Sequence, residues 1–320
     1  MNLALSLPPE ISSLMQEIDE CINQQIALLP PHVIPAITGP SGHGKRIRAL
    51  TVLLCGLISG KMNPALVPVA AACELFHLAT LIHDDLVDEH QVRRGYPTLY
   101  KKISPAAAVL IADFIFARSY ALFLESKSNA IIEIITETLT QITAAELQVY
   151  TNDTGRSFLL EKYLIWISDK TASLFRACAA CGALLGEVDE NGCDHLTRYG
   201  ELLGISFQIQ DDILDYKIET GDARPIGSDL KSGMVTLPLI CHNSFDKKTP
   251  AFISWLQGSR DKDTIYTLIR EVQQSGALQA SMDQAVMYAQ KAADIAAAHS
   301  DGLIRDALIN LCWYSVNRNR

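Results

Sequence analysis

One acidic pattern, Asp-Asp-x-x-Asp, occurs twice in this chain, at residues 84–88 (DDLVD) and again at residues 211–215 (DDILD). Each copy follows an apolar segment with helical spacing, which predicts that each lies near the C-terminus of a helix. Negative charge is unfavourable there, because that end of a helix is itself partly negative and because neighbouring carboxylates repel one another. The pattern therefore favours a helical fold in which the two acidic helix ends bind a cation.

The spacing within the motif indicates which carboxylates act together. On a helix, residues four apart lie on one face, about 6 Å apart along the axis, so Asp84 and Asp88 point the same way while Asp85 lies about 100° round. The donors are all oxygen atoms and no His or Cys set has zinc spacing, which selects a hard cation such as Mg²⁺. Mg²⁺ usually takes one or two carboxylates with phosphate and water, so a phosphorylated substrate is predicted. Two solvated acidic helix ends are the alternative, which the second copy disfavours.

Basic residues in three places supply the charge that phosphate groups require. They lie in the segments GHGKRIR (42–48) and VRRG (92–95), and at Lys170 in SDKTASLF. Arginine suits bidentate contacts to phosphate and lysine suits point-charge contacts. Each one alone is more often an ordinary surface charge. Together with the two acidic motifs they predict a site for two anionic phosphate groups.

The rest of the chain indicates one all-α domain over residues 1–320, a large helical bundle around a central cavity. No run alternates apolar and polar residues for long enough to indicate a strand, and no Pro/Gly/Ser-rich linker divides the sequence. The predicted helices are residues 63–88 with Asn63 as N-cap and Pro64 at the first position, a helix opened by Ser104 and Pro105, residues 129–150, residues 168–186 and residues 195–216, followed by a loop over 218–233 and shorter helices to the C-terminus.

Composition argues against several classes of function. The formal net charge of -9 argues against a nucleic-acid binder, which would carry a basic patch. The first ten residues lack the basic and apolar regions of a signal peptide. The sequence has no apolar stretch of about 18 residues that is free of charge, so no membrane span is expected. Among the eight cysteines, Cys178 and Cys181 form a CxxC between alanines. Small buried residues on a helix are favoured over a redox or zinc pair, in keeping with a reducing cytoplasm.

These motifs resemble those of the trans-prenyl diphosphate synthases, which have the isoprenoid synthase fold, and in particular octaprenyl-type medium- and long-chain members. The resemblance covers nearly the whole chain and rests on GKRIR, ELFHLATLIHDDLVDEHQVRRG, DKTASLF, GISFQIQDDILDY and GSDLKSGMVTLPLI, in the family's order. It implies a Mg²⁺-dependent prenyltransferase that condenses isopentenyl diphosphate head-to-tail with an allylic diphosphate. It further implies a cytoplasmic homodimer without nucleic acid, and leaves delivery of the lipid product to a membrane open.

The resemblance also implies a role for individual residues. The implied catalytic set is Asp84, Asp88, Lys170 and Asp211. The implied Mg²⁺ ligands are Asp84, Asp88 and Asp211, with Asp85, Asp212 and Asp215 as additional candidates from the same motifs. The implied contacts to isopentenyl diphosphate are Lys45, Arg48, His77 and Arg94, and those to the allylic diphosphate are Arg93, Lys170, Thr171 and Gln208. His77 also lies two turns before Asp84 on the same helical face.

The chain departs from the family pattern at three places. Gly42, His43 and Gly44 precede Lys45 where the family usually has Gly-Gly-Lys, and Ala49 replaces a proline. Met234 stands where the family usually has lysine. We expect Lys231, three residues earlier, to take over that contact to the allylic substrate.

Two other functions stay open at this point. A class I terpene cyclase would usually carry an Asn/Ser/Glu metal motif as its second cluster, where this chain has a second DDxxD. A non-catalytic regulatory subunit often loses one Asp motif, and both are intact here.

Product length is predicted from the residues before the first motif. In the family, bulky side chains there block the growing tail, and here the positions hold the small residues Ala79 and Thr80. A product longer than farnesyl is therefore expected. Phe76 and Phe123 are candidate floors further down, which favours a medium rather than a very long chain.

Overall fold

In the computed structural model, the described residues are 8–37, 44–93, 95–152, 157–217, 227–244, 249–299 and 302–318. Almost all of them lie in helices, as the apolar periodicity predicts. The helices are α1 (Pro9–Ile26), α2 (Ile34–Ile37), α3 (Ile47–Leu57), α4 (Leu66–Val87), α5 (Leu99–Lys102), α6 (Pro105–Glu125), α7 (Asn129–Asn152), α8 (Leu160–Ile167), α9 (Ser173–Leu185), α10 (Glu190–Leu214), α11 (Ser228–Ser232), α12 (Leu237–Ser244), α13 (Pro250–Leu256), α14 (Lys262–Gln274), α15 (Ala277–Ala297) and α16 (Leu303–Asn317). The match to solved structures given below confirms the all-α fold class.

The core consists of two hydrophobic clusters that meet at α3 and α9. One is formed mainly by α9, α10 and the helices from α12 to α16, and the other by α1, α4, α6 and α7. The main packing partners are α4 with α6, α10 with α15, and α9 with both α3 and α10. The two acidic motifs therefore lie at the ends of helices from different clusters, with α9 between them.

Two predicted helix starts can be compared with the structure. Ser104 caps α6 as predicted, because its Oγ accepts a hydrogen bond from the Ala107 N–H at 3.1 Å. The helix predicted from Pro64 begins at Leu66 instead. Asn63 Oδ1 accepts from the Ala65 N–H at 2.9 Å, while its Nδ2 donates to the Leu185 carbonyl at the end of α9. This side chain forms a turn that ties the start of α4 to α9.

The prediction that a helix begins at Ser168 is wrong. The chain is already helical from Leu160, and α8 continues through a π-helical turn, Ser168–Ala172, into α9. The Ser168 hydroxyl donates to Glu201 Oε1 on α10 at 3.2 Å instead of capping a helix. Lys170 therefore lies inside a π-helical turn, a geometry that places an extra residue in one turn and is frequent at functional sites.

Three further features of the helices differ from prediction: one start, one loop and one length. The helix predicted from residue 195 begins at Glu190, where the Asp189 carboxylate caps it by accepting from the Gly192 N–H at 2.7 Å. The predicted loop over 218–233 contains α11, while residues 218–226 lie outside the described part of the chain. Of the C-terminal helices, α15 has 21 residues and is not short.

A small hairpin follows the first acidic motif. Strands β1 (Val92–Arg93) and β2 (Tyr96–Pro97) pair antiparallel, with Arg93 opposite Tyr96. Gly95 allows the turn because its φ is 80°, in the left-handed region that glycine enters without strain. The sequence did not predict these four residues as strands, because two-residue strands carry no readable alternation.

Two of the described helices, α4 and α6, are long and apolar enough to cross a membrane by length and composition, although α4 contains Glu74 and α6 contains Asp113 and Arg118. The core helix of a soluble protein passes the same test. The apolar window of α4 is 61% buried and that of α6 is 39% buried, and the two helices pack against one another. Part of the apolar surface of α6 is therefore uncovered in a single chain.

Candidate active site

The first acidic motif ends α4, and its members face different partners. Burial raises the pKa of Asp84 to about 6; Glu146 and Asp88 add to the rise, and the Lys170 ammonium opposes it. Arg93 Nε donates to Asp85 Oδ1 at 2.7 Å, and its charge also opposes the rise in the pKa of Asp84. The hydrogen bond to Asp85 rather than to Asp84 agrees with the helical spacing, which puts the two side chains on different faces. Arg94 lies outside the described residues.

Lys170 is the cation beside Asp84. Its ammonium forms an ion pair with Glu146 of α7 and lies 5.4 Å from the centre of the Trp166 ring. Burial alone would lower the pKa of Lys170, but Glu146 and Asp84, with a smaller contribution from Asp88, raise it above its ordinary value. The ammonium is therefore held charged among three carboxylates. Sequence reasoning missed Glu146, because the segment around it, AAELQ, was not recognised as a motif.

A chain of hydrogen bonds joins the π-helical turn to the second motif. Thr171 Oγ1 donates to Gln208 Oε1 at 2.7 Å, and Gln208 Nε2 donates to Asp212 Oδ1 at 2.7 Å. Tyr163 donates its hydroxyl to the other carboxylate oxygen of Asp212 at 2.6 Å. Burial raises the pKa of Asp212 to about 7, and these two hydrogen bonds oppose the rise. The structure thus brings together three residues that the sequence places in one site.

Asp215, the last carboxylate of the second motif, holds α11 in place. It accepts hydrogen bonds from the Ser228 N–H at 3.1 Å, the Ser228 hydroxyl at 2.7 Å and the Asp229 N–H at 3.0 Å. Burial raises the pKa of Asp229, as do Asp215 and Asp212, while Lys170 lowers it. Lys170 therefore interacts electrostatically with both acidic regions. Asp229 was not singled out from the sequence.

Asp211 pairs with a residue from the far end of the chain. Arg318, just beyond α16, places its Nη2 at 2.7 Å from Asp211 Oδ1. The same guanidinium lies over the Phe207 ring, 3.6 Å from its centre. Sequence reasoning missed Arg318; the signal available was the basic ending NRNR.

The basic segment before α3 contributes two of the predicted substrate contacts. Arg48 is buried with its guanidinium 4.7 Å from the centre of the Phe175 ring, and burial lowers its pKa while Glu74 opposes this. Lys45 is exposed and lies 5.1 Å from the centre of the Tyr314 ring on α16. The electrostatic contribution of Asp211 also reaches Arg48, which places this basic segment near the second motif.

A carboxylate from α4 organises the start of α3. Glu74 Oε1 accepts from the backbone N–H groups of Arg48 and Ala49, both at 3.0 Å. Arg46 is in the left-handed region at φ 49° and provides no side-chain cap, since a guanidinium has no acceptor for backbone N–H groups; it pairs with Asp19 at 2.8 Å instead. Glu74 thus replaces the side-chain N-cap of α3. A cap of this kind stabilises a protein by about 1 kcal/mol.

His77 lines a cavity of about 170 Å³ between α1 and α4. Asp85 and Arg93 line the same cavity, together with apolar side chains of both helices. Helical spacing predicted that His77 would share a face with Asp84. In the structure the motif carboxylate that lines the His77 cavity is Asp85. Lys231 is exposed and lines a separate cavity of about 580 Å³ beside Trp255, which the other predicted site residues do not line.

The site offers hard oxygen donors with protein cations already beside them. No group of three Asp, Glu, His or Cys side chains in the described part of the chain lies close enough to hold a metal ion alone. The Lys170 ammonium lies beside the first motif and the Arg318 guanidinium beside the second, so each motif has a positive charge next to it that offsets the cost of burying carboxylates. Their chemistry fits a hard divalent cation that completes its coordination with phosphate and water.

Comparison with known proteins identifies the class. Residues 35–272 match the polyprenyl synthetase family. The chain is 32% identical over 283 residues to octaprenyl diphosphate synthase of Escherichia coli K12, covering 88% of each, and 26% identical to geranylgeranyl diphosphate synthase of Methanosarcina mazei, covering 99% of each. It resembles a crystal structure of Caulobacter crescentus polyprenyl synthase complexed with calcium and isoprenyl diphosphate, with a TM-score of 0.89, 30% identity and coverage of 96% and 95%.

This all-α fold, with one acidic motif at the end of a helix from each of its two clusters, is that of a prenyltransferase of isoprenoid biosynthesis. The chain belongs to the polyprenyl synthetase family. It is a trans-prenyl diphosphate synthase, which condenses isopentenyl diphosphate with allylic diphosphates.

Proposed function

We propose that Mg²⁺ is the divalent cation and that Asp84, Asp88 and Asp211 hold it. The observation that supports this assignment is that Lys170 interacts with Asp84 and Asp88 while Arg318 pairs with Asp211. Desolvated carboxylates of this kind are stabilised by a nearby positive charge. When bound, the metal neutralises charge on the diphosphate that leaves the allylic substrate. Asp85, Asp212 and Asp215 instead hold Arg93, Gln208 and α11 in position.

The protein's own residues position the two diphosphates. We assign the allylic diphosphate to Arg93, Lys170, Thr171 and Gln208, which adjoin the acidic motifs. We assign isopentenyl diphosphate to Lys45, Arg48 and His77, with Arg94 added from the resemblance alone. Cationic side chains fixed before reaction stabilise the charge that develops on the leaving diphosphate, and exclusion of water protects the allylic cation from hydrolysis. Asp84, Asp88, Lys170 and Asp211 form the proposed catalytic set.

Product length is proposed to exceed farnesyl and to be medium. The comparisons include relatives named for products as different as geranylgeranyl and octaprenyl diphosphate. Ala79 is fully buried on α4, and Phe76 is fully buried one turn before it. Phe76 contacts Phe116 of α6 edge-on, with ring centres 5.1 Å apart. These rings, with the fully buried Phe123, support a floor between α4 and α6.

We further propose a cytoplasmic homodimer in which residues 1–320 form one domain. Large apolar side chains on α6 and α7 are exposed in the single chain, among them Leu110 (69%), Leu124 (62%) and Leu147 (58%). Exposed apolar side chains mark an interface where they form one contiguous patch, and α6 carries two of these leucines. A second copy of the chain would cover it.

The function is tested by incubating the purified chain with labelled isopentenyl diphosphate, an allylic primer and Mg²⁺. We expect an elongated all-trans diphosphate that disappears when the metal is chelated. A cyclic hydrocarbon would instead identify a terpene cyclase, and product only after addition of a second subunit would identify a regulatory chain.

Lys231 carries a separate prediction, because Met234 replaces the family's lysine. Lys231→Ala should raise KM for the allylic substrate about three- to tenfold, the cost of one exposed charge contact to a phosphate. Adding Met234→Lys should restore part of the affinity, since the Met234 N–H donates to the Asp229 carbonyl at 2.8 Å, next to the second motif. Lys262→Ala, on the exposed start of α14, is the matched control. An unchanged allylic KM in Lys231→Ala would reject the compensation.

A further inference from the structure

The C-terminal Arg318 is bound to the second motif by several contacts. Its Nη2 lies 2.7 Å from Asp211 Oδ1 and donates to the Phe207 carbonyl at 2.8 Å. Its Nε donates to the Ser315 carbonyl at 3.3 Å, and its own carbonyl accepts from Gln210 Nε2 at 3.3 Å. With the ring contact described above, both the side chain and the backbone of Arg318 are anchored to α10 and α16. The side chain is 11% exposed, so this is not a loose surface pair.

The Asp211 carboxylate faces two competing cations under the proposed function. A metal ion and a guanidinium that share one carboxylate repel one another, so each weakens the binding of the other. Asp211 also lies near Asp212 and Asp229, so an uncompensated carboxylate there would be strongly disfavoured. Arg318 supplies the positive charge that compensates the Asp211 carboxylate.

We propose that Arg318 is an intramolecular latch that occupies Asp211 and competes with a divalent cation for this carboxylate. This inference rests on the proposed role of Asp211 as a metal ligand. The latch keeps the second motif neutralised without metal and makes metal binding weaker than the carboxylates alone would give. It also couples the loading of the site to release of Arg318 from Phe207.

The test is direct titration of the substrate-free, full-length protein with Mn²⁺, with free Mn²⁺ followed by electron paramagnetic resonance. Arg318→Gln should bind Mn²⁺ about three- to tenfold more tightly than wild type, because one charge-assisted contact to the carboxylate is lost. Arg318→Lys keeps a cation at the position and should shift the affinity much less. Arg305→Gln is the matched control, since Arg305 lies on α16, the helix that precedes Arg318, pairs with Asp306 at 2.8 Å and carries the same charge.

Asp211→Asn separates failure of the latch from failure of the proposed function. If Asp211→Asn leaves Mn²⁺ affinity unchanged, Asp211 is not a metal ligand and the proposed function fails. If Asp211→Asn weakens Mn²⁺ binding but Arg318→Gln behaves like Arg305→Gln, the latch alone is rejected. Should Arg318→Gln not fold, as judged by its thermal transition, Phe207→Leu removes the ring beneath the guanidinium and should also tighten Mn²⁺ binding; unchanged binding there would reject the latch.

Discussion

Asp84→Asn should abolish most of the metal-dependent turnover and leave the fold intact. We expect kcat to fall roughly 100- to 1,000-fold, the range seen when one preorganised group that stabilises developing charge is removed. The reason is that Asp84 and Asp88 share a face at the end of α4, with the Lys170 ammonium nearby. The measurement is steady-state turnover of labelled isopentenyl diphosphate at saturating Mg²⁺.

The fold should survive the change because Asp84 is a desolvated carboxylate near Asp88 and Glu146. Removing its charge relieves repulsion, and Lys170 keeps its pair with Glu146. The thermal transition should therefore stay at the wild-type temperature or rise. Asp294→Asn is the matched control, since Asp294 is exposed on α15 and accepts only a hydrogen bond from the Gln290 side chain among the contacts described. Near-normal turnover in Asp84→Asn would contradict the assigned role.

Ala79→Tyr should shorten the product, and Phe123→Ala should lengthen it. Ala79 is fully buried on α4, five residues before the first motif. Under the proposed product-length model, a tyrosine ring there blocks the growing tail. Phe123 is fully buried on α6, and its truncation leaves a cavity that a longer tail can fill. Chromatography of the reaction products gives the chain-length distribution for each variant.

Overpacking is the competing explanation for a change in Ala79→Tyr, because a buried site does not easily accept a larger side chain. Thr80→Phe is the second variant, since Thr80 is only half-buried and its hydroxyl donates to the His77 carbonyl at 2.8 Å. Ala297→Tyr, exposed on α15, controls for the tyrosine itself. The floor between α4 and α6 is wrong if wild type stops at farnesyl diphosphate, or if none of these core changes moves the distribution.

Local signals predicted the elements that carry the two motifs. The apolar period of α4 and α10 and the Ser104-Pro105 start of α6 are set by neighbours in sequence, and each was found within a few residues of its predicted position. The cap formed by Asn63 was misplaced because its side chain also donates to α9. Errors of this size arise where a distant partner competes with the local one.

The π-helical turn shows the limit of local reasoning. The segment SDKTASLF has a serine followed by an aspartate, a common helix start, yet the chain is helical on both sides of it. The extra residue in this turn lies where Lys170 pairs with Glu146 and Thr171 donates to Gln208. Neither partner lies nearby in sequence, so the period alone could not predict the turn.

The sequence by itself determined which chemical groups this protein brings to its site: two sets of carboxylates at helix ends, a basic segment and a lysine between them. Only the tertiary structure decided which cation faces which carboxylate. Arg318 reaches Asp211, and Glu74 caps α3, through contacts between segments that are far apart in the chain. Helix periodicity depends on residues a few positions apart, whereas electrostatic pairing depends on distance in space. The donors could therefore be predicted from the amino-acid order, but their partners depended on how α4, α7, α10 and α16 pack.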